Sequence, residues 1–240
     1  MSSNADGRAR RDRGAASQAA RESGATHVER AIRDARPGPA LIAFLTAGYP
    51  RRDDFGPLLQ RTATAADVVE IGVPFSDPMA DGVTIQRSSG AALRSGVGLA
   101  WILDELARLV PRPAAPLVLM SYLNPLLAFG PERRAIRARE AGIDALIVPD
   151  LPYEESATLR GAFGREGLGL VQLVTPVTPP PRLRRLAEAS EGFVYAVLMT
   201  GVTGQQRGIC DEGLDYLDRV RSLSPRPVCA GFGIRRAEDV

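Results

Sequence analysis

The chain reads as a parallel α/β barrel, a (β/α)8 TIM barrel in which seven strands can be counted and an eighth unit is absent. Three observations predict it. Short apolar, β-branched runs recur at 40–47, 67–73, 116–122, 143–148, 169–175, 193–199 and 227–232, each closed by Pro, Gly or Asp. Segments with helical spacing separate them, and the mean interval of roughly 30 residues is that of a strand-plus-helix unit. At 240 residues with 45% apolar content, the chain can bury one large core and suits a single such domain.

Taken in order, residues 1–25 are rich in Ser, Ala, Gly and Arg without hydrophobic periodicity and are expected to form a disordered extension; the barrel domain is expected over 26–240. Asp6, Asp12 and Glu22 argue against an organelle transit peptide. A helix over His27–Ala35 should cap the lower mouth of the barrel. Amphipathic helices are expected at 54–65, 101–110, 132–141, 154–163, 181–189 and 213–223; Leu99, Ile102, Leu103 and Leu106 make an apolar stripe suited to core packing. The longest interval, after the second strand, holds a loop and a short helix over Val83–Ser95. Long insertions after strands lie on the C-terminal face of such barrels, where chemistry resides. After the sixth strand, Gly201–Gly208 is polar, basic and Gly-rich, and reads as a closing lid. Arg235–Val240 only begins a helix. The expectation is therefore a fragment of a longer protein; the alternative is an incomplete barrel with two open strand edges.

Composition narrows the function. A formal charge of +2, with Arg scattered along the chain, gives no support for a nucleic-acid surface. No apolar run approaches the roughly 20 residues needed to span a bilayer, and there is no secretory signal, so a cytoplasmic protein is expected. Cys210 and Cys229 lack metal-ligand spacing and read as reduced thiols. His27 is the sole histidine, expected at the surface or in a cap, which removes Ser-His-Asp catalysis and His-rich metal sites. Lysine is absent, which removes Schiff-base chemistry and covalent pyridoxal attachment. Proton transfer falls to carboxylates or tyrosine.

Within Asp67–Gly82, Glu70 interrupts what is otherwise a buried strand. A carboxylate there is costly unless used or paired. Asp77 and Asp81 follow among Pro74, Pro78 and Gly82, where side chains can converge on a ligand. Plainer roles exist for each: Glu70 paired with an arginine in the barrel floor, Asp81 capping a helix that starts at Val83, Asp77 forming a turn. Gly201, Gly204, Gly231 and Gly233 can bring backbone N–H groups to a phosphate.

These residues carry a resemblance to the alpha subunits of tryptophan synthase. The matching runs are PALIAFLTAGYP at 39–50, VVEIGVPFSDPMADGVTIQ at 68–86, MSYLNPL at 120–126, DALIVPDLPYEES at 144–156, TGVTG at 200–204 and GFGI at 231–234. The resemblance implies cleavage of indole-3-glycerol phosphate to indole and glyceraldehyde 3-phosphate, with no cofactor or metal in this chain. It also implies a pyridoxal-phosphate-dependent beta partner in an alpha2beta2 assembly. By the same resemblance, Glu70 is the general acid–base, Asp81 the second catalytic carboxylate and Tyr195 an active-site tyrosine. Phe44 would pack near the indole, and Thr203, Gly204, Phe232 and Gly233 would serve the lid and the phosphate. Pro74, Ser76, Asp77, Asn124 and Asp150 would face the partner. Two other readings stand beside this one. A neighbouring phosphate-binding barrel enzyme, such as an indole-glycerol-phosphate synthase or an isomerase of histidine biosynthesis, is disfavoured in the first case by the absence of lysine. A truncated, non-catalytic activating subunit of the beta partner is disfavoured by the intact Glu70 and Asp81 and favoured by the missing eighth unit.

Overall fold

The structure is a computed structural model that describes residues 22–35, 37–79, 81–128, 131–198 and 209–231. Seven parallel strands follow one another in chain order: β1 (Ile42–Thr46), β2 (Val68–Gly72), β3 (Leu117–Met120), β4 (Ile143–Ile147), β5 (Gly169–Val174), β6 (Val194–Val197) and β7 (Val228–Gly231). Each lies within the run expected for it. Helices α1 (Gly24–Asp34), α2 (Phe55–Ala63), α3 (Val83–Arg94), α4 (Leu99–Arg108), α5 (Leu123–Leu127), α6 (Pro131–Glu140), α7 (Ala157–Arg165), α8 (Pro180–Ala189) and α9 (Asp211–Leu223) are set around them.

The strands are largely apolar because both faces are covered, with Glu70 on β2, Asp144 on β4 and Gln172 on β5 among the polar exceptions. Inside the curved sheet, Val68, Val118, Met120, Ala145, Ile147, Val171 and Phe193 pack on one another. Outside it, Leu45, Val69, Ile71, Leu117, Leu119, Leu146 and Leu170 pack with Leu59, Ile102, Leu103, Leu106 and Phe163 of the helices, so the predicted α4 stripe is core. Around β6 the same outer layer continues through Val194, Ala196, Leu183, Leu186 and Val220. The period-2 alternation of a strand divides its residues between these layers. Phe44 and Glu70 are register partners, as are Glu70 and Val118, and Val118 and Ala145.

The floor is closed by α1, as its position in the chain suggests. It begins at Gly24 instead of His27, because Ser23 supplies an N-cap whose hydroxyl accepts from the Thr26 N–H at 3.2 Å. Residues 22–25 of the extension expected over 1–25 therefore sit with the barrel; residues 1–21 lie outside the described residues. Val28 is fully buried and enters the interior cluster. His27 has a structural job that its sequence position does not reveal: its Nδ1 lies 3.1 Å from Asp144 Oδ1, while Asp144 Oδ2 accepts from the Leu117 N–H at 3.0 Å. One carboxylate thus joins α1, β3 and β4. Glu29 extends the attachment by accepting from Arg33 at 2.7 Å and Arg226 at 2.8 Å, the latter just before β7.

Two elements differ from expectation. The sequence does not predict α5, since Pro125 interrupts a five-residue segment; the Asp150 carboxylate, arriving from the turn after β4, accepts from the Leu123 N–H at 2.8 Å and satisfies its first turn. The helix expected over 154–163 is instead a 3-10 turn, Tyr153–Glu155, followed by α7. Ser156 marks the joint by donating its hydroxyl to the Tyr153 carbonyl at 2.6 Å. Among the described residues no helix is long and apolar enough to cross a membrane.

The seating of α1 can be tested at Gly24, where an added Cβ would fall 2.2 Å from the Asp144 carbonyl oxygen, an atom that cannot swing aside. Gly24→Ala is expected to lower stability by about 1–3 kcal/mol, the usual cost of overpacking. Urea unfolding reads this, and an unchanged midpoint would contradict the close seating.

Candidate active site

Strand β2 carries Glu70 into the barrel interior, where it is 3% exposed. Its β1 partner Phe44 remains 38% exposed, and the ring of Phe44 occupies the space beside the strand end: a Cβ on Gly72 would lie 2.5 Å from Phe44 Cζ. Glycine at 72 is therefore a clearance for that ring. Beyond Val73 and Pro74 the chain loops out and returns at Asp81. Two hydrogen bonds hold this return. Thr46 Oγ1 and Ser88 Oγ meet at 2.7 Å and pin α3 to the end of β1, and Gln86 Nε2 donates to the Asp81 carbonyl at 2.9 Å.

Asp81 is not the helix cap that its position before Val83 allows. Gly82 occupies the N-cap of α3 without a side-chain hydrogen bond. The Asp81 carboxylate instead accepts from the hydroxyl of Tyr122, whose ring stacks on Phe75 with centroids 5.1 Å apart. Sequence reasoning places Tyr122 at the end of the third apolar run and in the matching run MSYLNPL without giving it a part in the site; its position immediately after β3, at the same end of the sheet as Asp81, is the signal that could have singled it out.

The two carboxyl groups share one electrostatic environment. Burial, then the negative charge of Asp81, pushes the Glu70 carboxyl up to about 8. Burial also raises Asp81, and the Tyr122 hydroxyl opposes that rise by hydrogen-bonding the ionised form. Neither carboxylate has an arginine within ion-pair distance among the described residues, so the paired-in-the-floor reading of Glu70 is set aside.

Tyr195 of β6 joins the same group. Burial raises its phenol, with the Glu70 and Cys229 charges adding to the effect. Cys229 is the register partner of Tyr195 on β7, and burial followed by the field of Glu70 pushes its thiol up to about 12. From sequence this cysteine is a bland reduced thiol. A neutral thiol is consistent with that, but its place in the cavity wall has no local sequence sign. Gly231, a candidate phosphate contact by sequence, makes room for a neighbour, since a Cβ there would lie 2.2 Å from the Tyr195 hydroxyl oxygen.

The structure thus brings together Glu70, Asp81, Tyr195 and Phe44. Thr203, Gly204, Phe232, Gly233 and the lid lie outside the described residues. Of the residues assigned to a partner surface, Pro74 is buried, and Ser76 and Asp77 are exposed and hydrogen-bonded to each other. Asn124 is exposed, and one oxygen of Asp150 is already committed to α5. Among the described residues no cluster of three or more His, Cys, Asp or Glu side chains could hold a metal ion.

The family model "Tryptophan synthase alpha chain" matches residues 31–240. A tryptophan synthase alpha chain from Nitratidesulfovibrio vulgaris is 46% identical over 215 residues, covering 88% of this chain and 84% of that one. Among solved structures, Mycobacterium tuberculosis tryptophan synthase superposes with a TM-score of 0.79 at 34% identity, covering 90% of this chain and 82% of that chain. The tryptophan synthase a2b2 complex from Pyrococcus furiosus gives a TM-score of 0.76 at 34% identity, covering 81% and 79%.

Two measurements probe the electrostatics. The folded chain holds the Glu70 proton up to about pH 8, whereas the unfolded chain releases it near 4.5, so unfolding between these values liberates a proton and stability falls as pH rises. Glu70→Gln removes that loss. In urea titrations from about pH 5 to about 8.5, the variant is expected to gain on the parent as pH increases; parallel curves would contradict a buried neutral Glu70. Tyr122→Phe deletes a donor to the ionised Asp81 and is expected to raise that carboxyl further, observable as an upward shift of its side-chain ¹³C titration; a downward shift would contradict the assigned hydrogen bond.

Proposed function

Since this chain belongs to the tryptophan synthase alpha chain family, we propose that the cavity of Glu70, Asp81, Tyr195 and Phe44 is where it carries out the family's lyase reaction. That reaction splits indole-3-glycerol phosphate into indole and glyceraldehyde 3-phosphate. The observation that carries the residue assignment is the pairing of a fully buried, proton-retaining Glu70 with a half-buried Asp81 hydrogen-bonded by Tyr122.

The chemistry follows from their different environments. A carboxylic acid that keeps its proton at neutral pH can deliver it to indole C3, which leaves positive charge on the ring nitrogen. Asp81, as the carboxylate, accepts the hydrogen bond of the indole N–H and stabilises that charge. Glu70, now ionised, takes the proton from the hydroxyl on the adjoining side-chain carbon. As the aldehyde forms, the carbon–carbon bond breaks and its electron pair returns to the ring. One proton enters at carbon and one leaves oxygen, so Glu70 ends as it began. Phe44 supplies an apolar wall for the heteroaromatic ring. Tyr195, neutral throughout, can donate from its hydroxyl to the reacting end of the side chain.

Thr203, Gly204, Phe232 and Gly233 are assigned to the lid and the phosphate on the strength of their matching motifs. The cycle needs no redox group or metal, and this chain is assigned neither; pyridoxal phosphate belongs to the beta partner. A beta-subunit partner is supported by solved relatives from Pyrococcus furiosus that are tryptophan synthase complexes, and an alpha2beta2 assembly is the reading of this chain that follows, with Pro74, Ser76, Asp77, Asn124 and Asp150 on its side of the contact. The cytoplasm is the compartment assigned.

Glu70→Gln should reduce indole formation at least about 10²-fold, the lower range for a positioned acid or base, with an unchanged circular dichroism spectrum. Asp81→Asn should do likewise without loss of stability, since Asp81 caps no helix. A folded Glu70→Gln chain with near-parental turnover would end the assignment.

A further inference from the structure

The rings of Phe75 and Tyr122 meet at the upper end of the sheet for a reason that begins in the strand pairing. The Val73 N–H donates to the Met120 carbonyl at 2.8 Å, so the chain leaves β2 still joined to the end of β3, and Phe75 and Tyr122 each stand two residues beyond that bond. Their rings stack with centroids 5.1 Å apart and planes 28° from parallel. An aromatic pair of this kind is favourable beyond the area it buries.

The backbone on either side of Tyr122 is fixed as well. Ser121, fully buried, donates its hydroxyl to the Tyr122 carbonyl at 2.9 Å, and the Leu123 N–H donates to the Asp150 carboxylate at 2.8 Å. Tyr122 itself is buried. With its main chain tied on both sides and Phe75 lying on its ring, the side chain delivers its hydroxyl to the Asp81 carboxylate.

Asp81 needs such support. It stands between β2 and α3, half-buried, and α3 starts from Gly82, so the helix does not hold the carboxylate. Left alone, the group could turn about its side-chain bonds. A carboxylate has two oxygens with about four lone-pair sites between them. When the Tyr122 hydroxyl engages one oxygen, the other is left for a donor in the cavity, and the proposed reaction needs one acceptor there, for the indole N–H.

We propose that Phe75 and Tyr122 are a positioning pair for the lyase reaction: the Phe75 ring holds the Tyr122 ring, and the Tyr122 hydroxyl turns Asp81 so that its second oxygen meets the indole N–H. The inference rests on the reading of this cavity as the lyase site. Indole formation by the full chain from indole-3-glycerol phosphate tests it. Tyr122→Phe keeps the stack and loses the donor; kcat should fall about tenfold, the lower range for a hydrogen bond to a charged group, with KM within about twofold of the parent. Since the lost donor served the ionised carboxylate, the acid limb of the kcat profile should also move to higher pH. Phe75→Leu keeps the donor and loses the stack, and should lower kcat about threefold; Phe75→Tyr, which keeps an aromatic ring, should recover most of that loss. Added to Asp81→Asn, neither Tyr122→Phe nor Phe75→Leu should cost more than about twofold, because both act through that carboxylate. With Asp81→Asn at least about 10²-fold slower than the parent, losses that multiply in its background, or a Tyr122→Phe chain with parental kcat and acid limb, would overturn the proposal alone. Should Phe75→Leu not fold, Tyr122→Phe carries the same comparison. Parental turnover by Asp81→Asn would instead overturn the reading of the site, and the role of the pair with it.

Discussion

A carboxyl group enclosed by the inner face of a parallel sheet, with a second carboxylate nearby and no arginine among the described residues to neutralise either, is the constraint around which this molecule is arranged. Burial of Glu70 disfavours its charge, and Asp81 disfavours it again. An arginine in the floor would remove the penalty and the function together. The surrounding wall keeps the arrangement in place by being polar without being charged: the neutral phenol of Tyr195 and neutral thiol of Cys229 face Glu70 across the interior.

The rest of the fold supplies rigidity to that cluster. From below, α1 fills the floor with Val28 and is locked to β3 and β4 by the Asp144 carboxylate. From above, the buried Thr46–Ser88 hydrogen bond fixes the helix that follows Asp81, so the long excursion after β2 ends at a determined place. Clearance is as important as contact. Gly72 and Gly231 leave space for the Phe44 ring and the Tyr195 hydroxyl, and a methyl group at either position would displace one of these side chains.

Much of this is legible in the amino-acid order. Strands buried on both faces produce continuous apolar runs, which is why all seven stand inside the expected segments and why Glu70 stands out among them. Asp81 is legible as a candidate but not as a choice between cap and catalyst, because Asp before Gly at a helix start fits both. The cap is removed only by three-dimensional facts, Gly82 at the N-cap and the hydrogen bond from Tyr122, far along the chain. His27 and Cys229 escape sequence reasoning for the same cause: a histidine in an N-terminal helix and an isolated thiol carry no local sign of what lies across the barrel. Helix α5 is hidden because its stabilising carboxylate, Asp150, comes from the next strand's turn.

A side-chain ¹³C NMR titration of Glu70, carried out in the parent and in Asp81→Asn, puts the buried neutral carboxyl to the sharpest trial. The parent should titrate with a midpoint near 8, moving down when the neighbouring charge is removed but staying above the ordinary glutamate range because burial is the larger cause. A parent midpoint near 4.5, or one insensitive to Asp81, would contradict it.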